Sequence, residues 1–384
     1  MRVLVAMSGG VDSSVAALLL AEAGHDVVGA TMKLWAGPSD SGCCSVADVD
    51  DARAVADRLG LVHHVFNFSA DFDARVVDPY VADHAAGRTP NPCVECNRHL
   101  KFDRFLRRAR QLGFDAIATG HHARVLAPSP ERPGRGWALA RGADRAKDQS
   151  YVLHMLGQAE LPRVLLPVGE LGKADVRARA ASAGLRTATK PDSQDVCFVS
   201  GPGGRAAFLG ARLPLRAGTV VDDAGRTVGR VDAVELVTVG QRRGLGNPGG
   251  TLPAGGRRYA VDVDLQRGVV TVGAPDRLLA GDVALAGLSW VDGPPEPGER
   301  LEVQCSAHGA PLTGVWEPTV AGGTPPAGGG VGAPSGGGGG EEPRPARVHG
   351  RIVWEAPSRR VAPGQSVVLY RGDLVVGGGQ AVAG

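Results

Sequence analysis

The chain has 384 residues, 43% of them hydrophobic and 21% charged, with a formal net charge of +2 and aromatic residues at only 4%. That length holds two or three domains, each able to bury its own core, and the composition excludes disorder as the main state. A charge so near zero excludes a whole-molecule field for polyanions, so any nucleic acid has to be held by local clusters of Arg and Lys.

The opening run MRVLVAMSGG is too short for a signal h-region, and no stretch reaches the roughly 18 apolar residues that span a bilayer. A cytoplasmic protein with no membrane contact is expected. Six cysteines without secretion signals point to catalysis, metal binding or burial rather than to a disulfide framework.

Residues 2–6 form a β-branched run, Ser8-Gly9-Gly10 a tight turn, and residues 12–23 an Ala/Leu-rich helix stopped by Gly24. The unit repeats: residues 27–32 predict a buried strand, 46–59 an amphipathic helix ending at Gly60, 61–66 a further strand, and 115–119 a strand closed by Gly120. Alternating strands and helices predict an α/β domain on a parallel sheet, with its ligands at the strand C-termini.

From about Gly210 the texture changes to short β-type runs at 218–221, 258–263 and 269–272, separated by Gly, Pro and Asp. A break at 275–281 and strand-like alternation over 351–370 predict a further β unit, a small barrel. The expected organisation is an α/β catalytic domain over 1–209 and two smaller mainly β domains, a central one over 210–277 and a C-terminal β-barrel over 278–384. Between 322 and 345 lies a Gly/Pro-rich stretch with five consecutive glycines, Gly336 to Gly340, which buries too little apolar surface to offset its ordering entropy. It reads as a flexible insertion.

The strongest local signal is Ser8-Gly9-Gly10-Val11-Asp12-Ser13-Ser14, between the first strand and the first helix. The glycines let backbone approach a polyphosphate, while Ser13, Ser14 and the helix amides supply donors to its oxygens. No Gly-Lys-Ser/Thr follows, and the glycines are adjacent rather than spaced as G-x-G-x-x-G, so neither a Walker loop nor a dinucleotide fingerprint is present. The loop resembles that of the ATP pyrophosphatases, which cleave ATP between the α- and β-phosphates and adenylate an oxygen. A capping turn would need only Asp12 or Ser13, not two glycines and two serines together.

Cys93 and Cys96 lie in Asn91-Pro92-Cys93-Val94-Glu95-Cys96-Asn97, ahead of a basic stretch over 98–110, and Cys197 lies in Asp192-Ser193-Gln194-Asp195-Val196-Cys197-Phe198. With Ala30-Thr31-Met32-Lys33, Gly120-His121-His122-Ala123-Arg124, Lys147-Asp148-Gln149-Ser150-Tyr151, Val239-Gly240-Gln241-Arg242-Arg243-Gly244-Leu245-Gly246 and Pro363-Gly364-Gln365, the chain resembles the tRNA-specific 2-thiouridylase family along nearly its whole length.

The resemblance implies that the 2-oxygen of the wobble uridine is adenylated and replaced by sulfur, with Cys96 as nucleophile and Cys197 as persulfide carrier. It implies ATP and Mg2+ as cofactors, ATP being held by Ala6, Met7, Ser8, Gly9, Gly10, Val11, Asp12, Ser13, Met32 and Gly120. It places Asn97, Arg98 and His99 beside the target base, and His121, Lys147, Asp148, Gln149 and Gln365 on the tRNA. The implied partners are the tRNAs for Lys, Glu and Gln, and a cysteine desulfurase or sulfur-relay protein as donor.

Chemistry asks for two thiols: an oxygen leaves only once adenylated, and a thiol donates sulfur only when it carries a second one. Arg98, Lys101 and a helix N-terminus near Cys96 would lower its pKa. Cys93 departs from the Asp many relatives carry, and leaves open that Cys93, Cys96 and Cys197 hold an iron–sulfur cluster with one free iron site. Zinc would need His99 or His121 as a fourth ligand, and Cys43, Cys44 and Cys305 read as unremarkable thiols. Two rivals stand beside the thiolase: an ATP-dependent ligase, with no need for Cys96 and Cys197, and a nucleotide sensor without turnover.

Overall fold

The computed structural model describes residues 1–35, 45–132, 135–192, 196–199, 203–246, 257–319 and 349–383. The expected insertion at 322–345 and the thiols of Cys43 and Cys44 lie outside the described residues.

Strand β1 (Arg2–Ala6) leads into helix α1 (Val11–Glu22), then β2 (Asp26–Lys33), helix α2 (Val46–Arg58) and β3 (Val62–Asn67). After a helical stretch come β4 (Ala116–Ala118), the hairpin β5 (Ala123–Leu126) and β6 (Ala138–Arg141), and the short β7 (Val164–Leu165). The first sheet runs β3-β2-β1-β4-β7, all parallel. Val3, Leu4 and Val5 are fully buried because a central parallel strand is covered on both faces. Strand order reverses between β1 and β4, and that reversal opens the crevice where α/β sheets bind ligands.

The central unit is the sheet β10-β11-β8-β9, made of β8 (Gly218–Val221), β9 (Thr227–Val231), β10 (Tyr259–Asp264) and β11 (Val269–Gly273). A tight turn over Pro275–Leu278 passes directly into β12 (Leu279–Trp290). With β13 (Arg300–Gln304), β14 (Leu312–Pro318), β15 (Gly350–Arg359), β16 (Ser366–Arg371) and β17 (Leu374–Ala381), β12 forms a six-stranded barrel, closed by pairing of β12 with β17. Closure leaves these strands without open edges, and the interior is filled by side chains such as Trp316, Ile352 and Leu369. The fold class is as expected: an α/β domain followed by two β units.

Sequence pattern does not show how the units interlock. Leu374 of β17 pairs with Ala140 of β6, so the hairpin of the first domain extends the barrel sheet. Tyr151 donates its hydroxyl to Ser366 O at 2.8 Å, and Thr89 N donates to Pro363 O at 2.7 Å.

Candidate active site

A cavity of about 470 Å³ opens where β1 and β4 end. Ser14 N donating to Gly10 O starts the helical ladder of α1, so the amides of Val11, Asp12 and Ser13 have no acceptor within the helix. Such amides suit phosphate oxygens. The Ser13 hydroxyl donates to Gly10 O at 3.0 Å and accepts from Ser8 N at 3.2 Å, which fixes the loop.

Ser14 departs from expectation. Its hydroxyl donates to Gly10 O at 2.8 Å and accepts from Thr187 at 3.1 Å, and the residue is fully buried, so it braces the loop from behind instead of facing a ligand. Gly9 adopts φ +72°, and a Cβ there would sit 2.3 Å from Asp48 O; one on Gly120 would sit 2.5 Å from Ser13 N. Gly9 therefore permits the loop to press on α2, and Gly120 lets the end of β4 press on the loop. Ala6, Met7, Ser8, Gly10, Val11, Asp12, Ser13, Met32 and Gly120 line the cavity, whereas Gly9 supports it from outside.

An ion-pair chain crosses the mouth. Lys173 Nζ lies 2.7 Å from Asp12 and 2.9 Å from Asp192, Lys147 lies 2.8 Å from Asp192, and His122 Nε2 lies 3.1 Å from Asp12. Burial pushes the carboxyls of Asp12 and Asp192 up, but their cationic partners hold both below the usual carboxylate range. Lys173 and Asp192 were not assigned a role from sequence; the one available signal was the position of Lys173 after Gly172, at a helix start.

Cys93, Cys96 and Cys197 also line this cavity, so the two thiols expected to cooperate open into the same chamber as the Ser8–Ser13 loop. Asn91 caps the helix Pro92–Cys96 by accepting from Cys93 N at 3.1 Å, and wide π-type turns over Asn97–Arg104 continue it, a feature frequent at functional sites. Cys197 opens a three-residue turn, Cys197–Val199. Its neighbour Phe198 sits among Phe72, Tyr80 and Phe208 at centroid distances of 5.6, 5.4 and 5.0 Å. Val196, β-branched, has φ +55°, a strained conformation for such a residue.

The expected lowering of the Cys96 pKa is not found. Burial pushes the thiol up to about 12, outweighing the charge of Lys101, and Cys197 and Cys93 push in the same direction as burial. Cys96 ends its short helix instead of starting it, so the helix N-terminus helps little. The cluster and zinc alternatives are not favoured either: among the described residues no three His, Cys, Asp or Glu side chains are arranged to hold a metal ion.

Asn97 is buried and donates to Val152 O at 2.9 Å, leaving its Oδ1 buried without a donor among the described residues. Arg98 and His99 turn to Glu95, at 3.6 and 3.2 Å, and do not line the cavity. His121 does; burial first, then Lys101 and His122, hold it well below the usual imidazole range, so it is neutral. Asp148 accepts from Gly142 N at 2.9 Å and Ser150 N at 3.0 Å and pairs with buried Arg141 at 3.3 Å. Gln149 lines the rim and accepts from His122 N at 3.0 Å. Gln365 stands apart: its amide donates to Thr89 O, steadying the segment that leads to Cys93 and Cys96.

A parallel sheet with its strand reversal over a Ser-Gly-Gly loop defines an α/β nucleotide-binding enzyme of the pyrophosphate-loop class. Residues 1–201 match the profile described as tRNA methyl transferase HUP domain, 206–274 the tRNA methyl transferase PRC-barrel domain, and 349–381 the aminomethyltransferase beta-barrel domain. The chain is 41% identical to the tRNA-specific 2-thiouridylase MnmA of Roseiflexus sp. (strain RS-1), over 99% of this chain and 98% of the relative. It is 43% identical to that of Chloroflexus aurantiacus (98% and 97% covered) and 42% identical to that of Mycobacteroides abscessus (98% of each). The chain belongs to the tRNA-specific 2-thiouridylase family. A 4-thiouridine synthetase–RNA complex with bound ATP is similar over 50% of this chain at 16% identity and a TM-score of 0.35, too faint a likeness to add weight.

Among the described residues, no helix is long and apolar enough to cross a membrane.

Proposed function

We propose that this chain is an ATP-dependent tRNA-uridine 2-sulfurtransferase in which one cavity performs both adenylation and sulfur transfer. The observation that carries the reading is the opening of Cys96 and Cys197 into the same chamber as the Ser8–Ser13 loop. A ligase of the same class has no use for two thiols there.

In this reading the α1 amides and Ser8 hold the ATP phosphates, and backbone at Met32 holds the adenine. Asn97, whose Oδ1 has no donor among the described residues, accepts the N3–H of the flipped uracil. The uracil 2-oxygen attacks the α-phosphate, and pyrophosphate leaves. Asp12, kept ionised at the cavity, suits a magnesium ion, which takes few protein carboxylates and keeps water and phosphate ligands; bound there, it would neutralise charge on the departing phosphates. Lys173 and Lys147 add positive charge at the same mouth.

The outer sulfur of a Cys197 persulfide attacks C2, and AMP leaves with the oxygen. Cys96 then loses its proton and attacks the Cys197 sulfur, breaking the S–S bond. The electron pair stays on the outer sulfur as the new thiocarbonyl, and the two cysteines remain as a disulfide for an external thiol to reduce. A cysteine desulfurase or a sulfur-relay protein is the class of partner that reloads Cys197.

Cys96→Ser and Cys197→Ser each abolish 2-thiouridine formation, read by nucleoside mass spectrometry, while ATP still binds. Wild-type thiolation in either variant overturns the roles assigned, and absence of AMP from wild-type enzyme with ATP and unmodified tRNA returns the chain to a sensor.

A further inference from the structure

A second cavity, of about 390 Å³, lies against the central sheet and brings together Arg242, Arg243, Arg257 and Arg258. No carboxylate and no aromatic ring is among its described lining residues. Like charges gathered with no counter-charge among the described lining residues repel one another, and Arg258 Nε is buried with no acceptor among the described residues. Such a cleft has the chemistry to take an anion.

Backbone geometry builds the cluster. Gly240 N donates to Ala260 O at 2.7 Å, and Ala260 N donates to Gln241 O at 2.9 Å, which locks the segment bearing Arg242 and Arg243 beside the one bearing Arg257 and Arg258. Gly244 and Gly246 have φ of +72° and +62°, and a Cβ on Gly246 would lie 1.5 Å from Arg230 O. Only glycine lets the turn fold this closely onto β9. The same segment starts beside the thiols' support, because Thr238 and Thr89 hydroxyls lie 3.2 Å apart.

We infer that this cleft binds backbone phosphates of the RNA substrate, away from the target base. Guanidinium forks match phosphate oxygens in pairs, and a site without rings to stack on positions RNA without reading its bases. The inference rests on the tRNA reading above for the source of the phosphate, and it explains how a chain of net charge +2 holds a polyanion: the charge is concentrated locally.

The test compares wild-type protein with Arg242→Gln/Arg243→Gln, both exposed and with side chains that make none of the fold contacts named above, and separately with Arg258→Gln. Binding of unmodified tRNA is measured across a KCl series, with steady-state thiolation in parallel. Weaker binding, a salt slope shallower by roughly one unit per lost phosphate contact, and a raised KM for tRNA at unchanged kcat and ATP affinity are expected. Wild-type tRNA affinity and slope in the double variant overturn the inference. Calorimetric binding of inorganic phosphate to wild type, lost in the double variant while tRNA affinity is kept, also overturns it, in favour of a free anion. Failure of the wild-type protein to bind tRNA at all would instead strike the functional reading beneath it.

Discussion

The two walls of the active-site cavity are built in opposite ways. The phosphate wall is one continuous stretch, β1, loop and α1, packed closely at glycines, Gly9 on Asp48 and Gly120 on Ser13, and tied by the loop's own Ser13 and Ser14 hydroxyls. The sulfur wall joins two segments far apart in the chain, held by side chains: Asn97 on Val152 O and Phe198 in its aromatic cluster. In the proposed reading the contrast follows from the two tasks. A nucleotide would be met by fixed donors that need not move, whereas a persulfide would be loaded by one partner and delivered to another, which a short strained turn on an aromatic anchor allows.

The largest expected effect tests that anchor. Phe198→Ala removes a ring that is 5% exposed, and such truncations cost about 3–5 kcal/mol, measurable by urea unfolding. Thiolation falls with it, while ATP affinity measured below the transition holds. An equal fall in ATP affinity would show that the walls are not independent and break the contrast.

Legibility divides along the same line. The phosphate wall was readable because its residues are consecutive and their chemistry is local: the strand at Arg2–Ala6, the turn and the helix stand where periodicity and glycines put them. Ser14 misled because hydroxyl identity does not tell inward from outward. Lys173 and Asp192 escaped because pairing across the fold leaves no trace in spacing. The Cys96 expectation failed for a similar reason: nearby Arg and Lys are visible in sequence, while burial, which outweighs them, is not. Gln365 belonged to a matched motif, yet its amide serves Thr89, a contact between distant domains.

A smaller effect probes the phosphate wall. Gly120→Ala forces a methyl against Ser13 N and the Asp12 backbone; overpacking of this kind costs about 1–3 kcal/mol, and to the extent that it displaces the loop amides it lowers ATP affinity by up to about 150-fold. Calorimetric titration with ATP, carried out well below the melting temperature, is the measurement, because the same strain also lowers the melting temperature. Unchanged affinity would mean that the loop yields, so that the wall is not rigid.

The smallest effect concerns one proton. With its pKa pushed up to about 12 by burial, Cys96 is almost wholly a neutral thiol near neutrality, and its thiolate fraction rises about tenfold for each pH unit. Peptide-resolved iodoacetamide labelling of Cys96 should therefore climb steadily from pH 7 to 10, with no levelling near the ordinary thiol value of 9.0. The sign for stability follows: a raised folded-state pKa favours the neutral form, so this thiol costs nothing below pH 9 and destabilises the fold as pH rises from 9 toward 12. Lys101→Gln removes the opposing positive charge and should slow labelling further at every pH. A plateau near pH 9, or faster labelling in that variant, would make Cys96 an ordinary open thiol. The sulfur wall would then be solvated, and the proton that Cys96 must lose would need no special moment in the cycle.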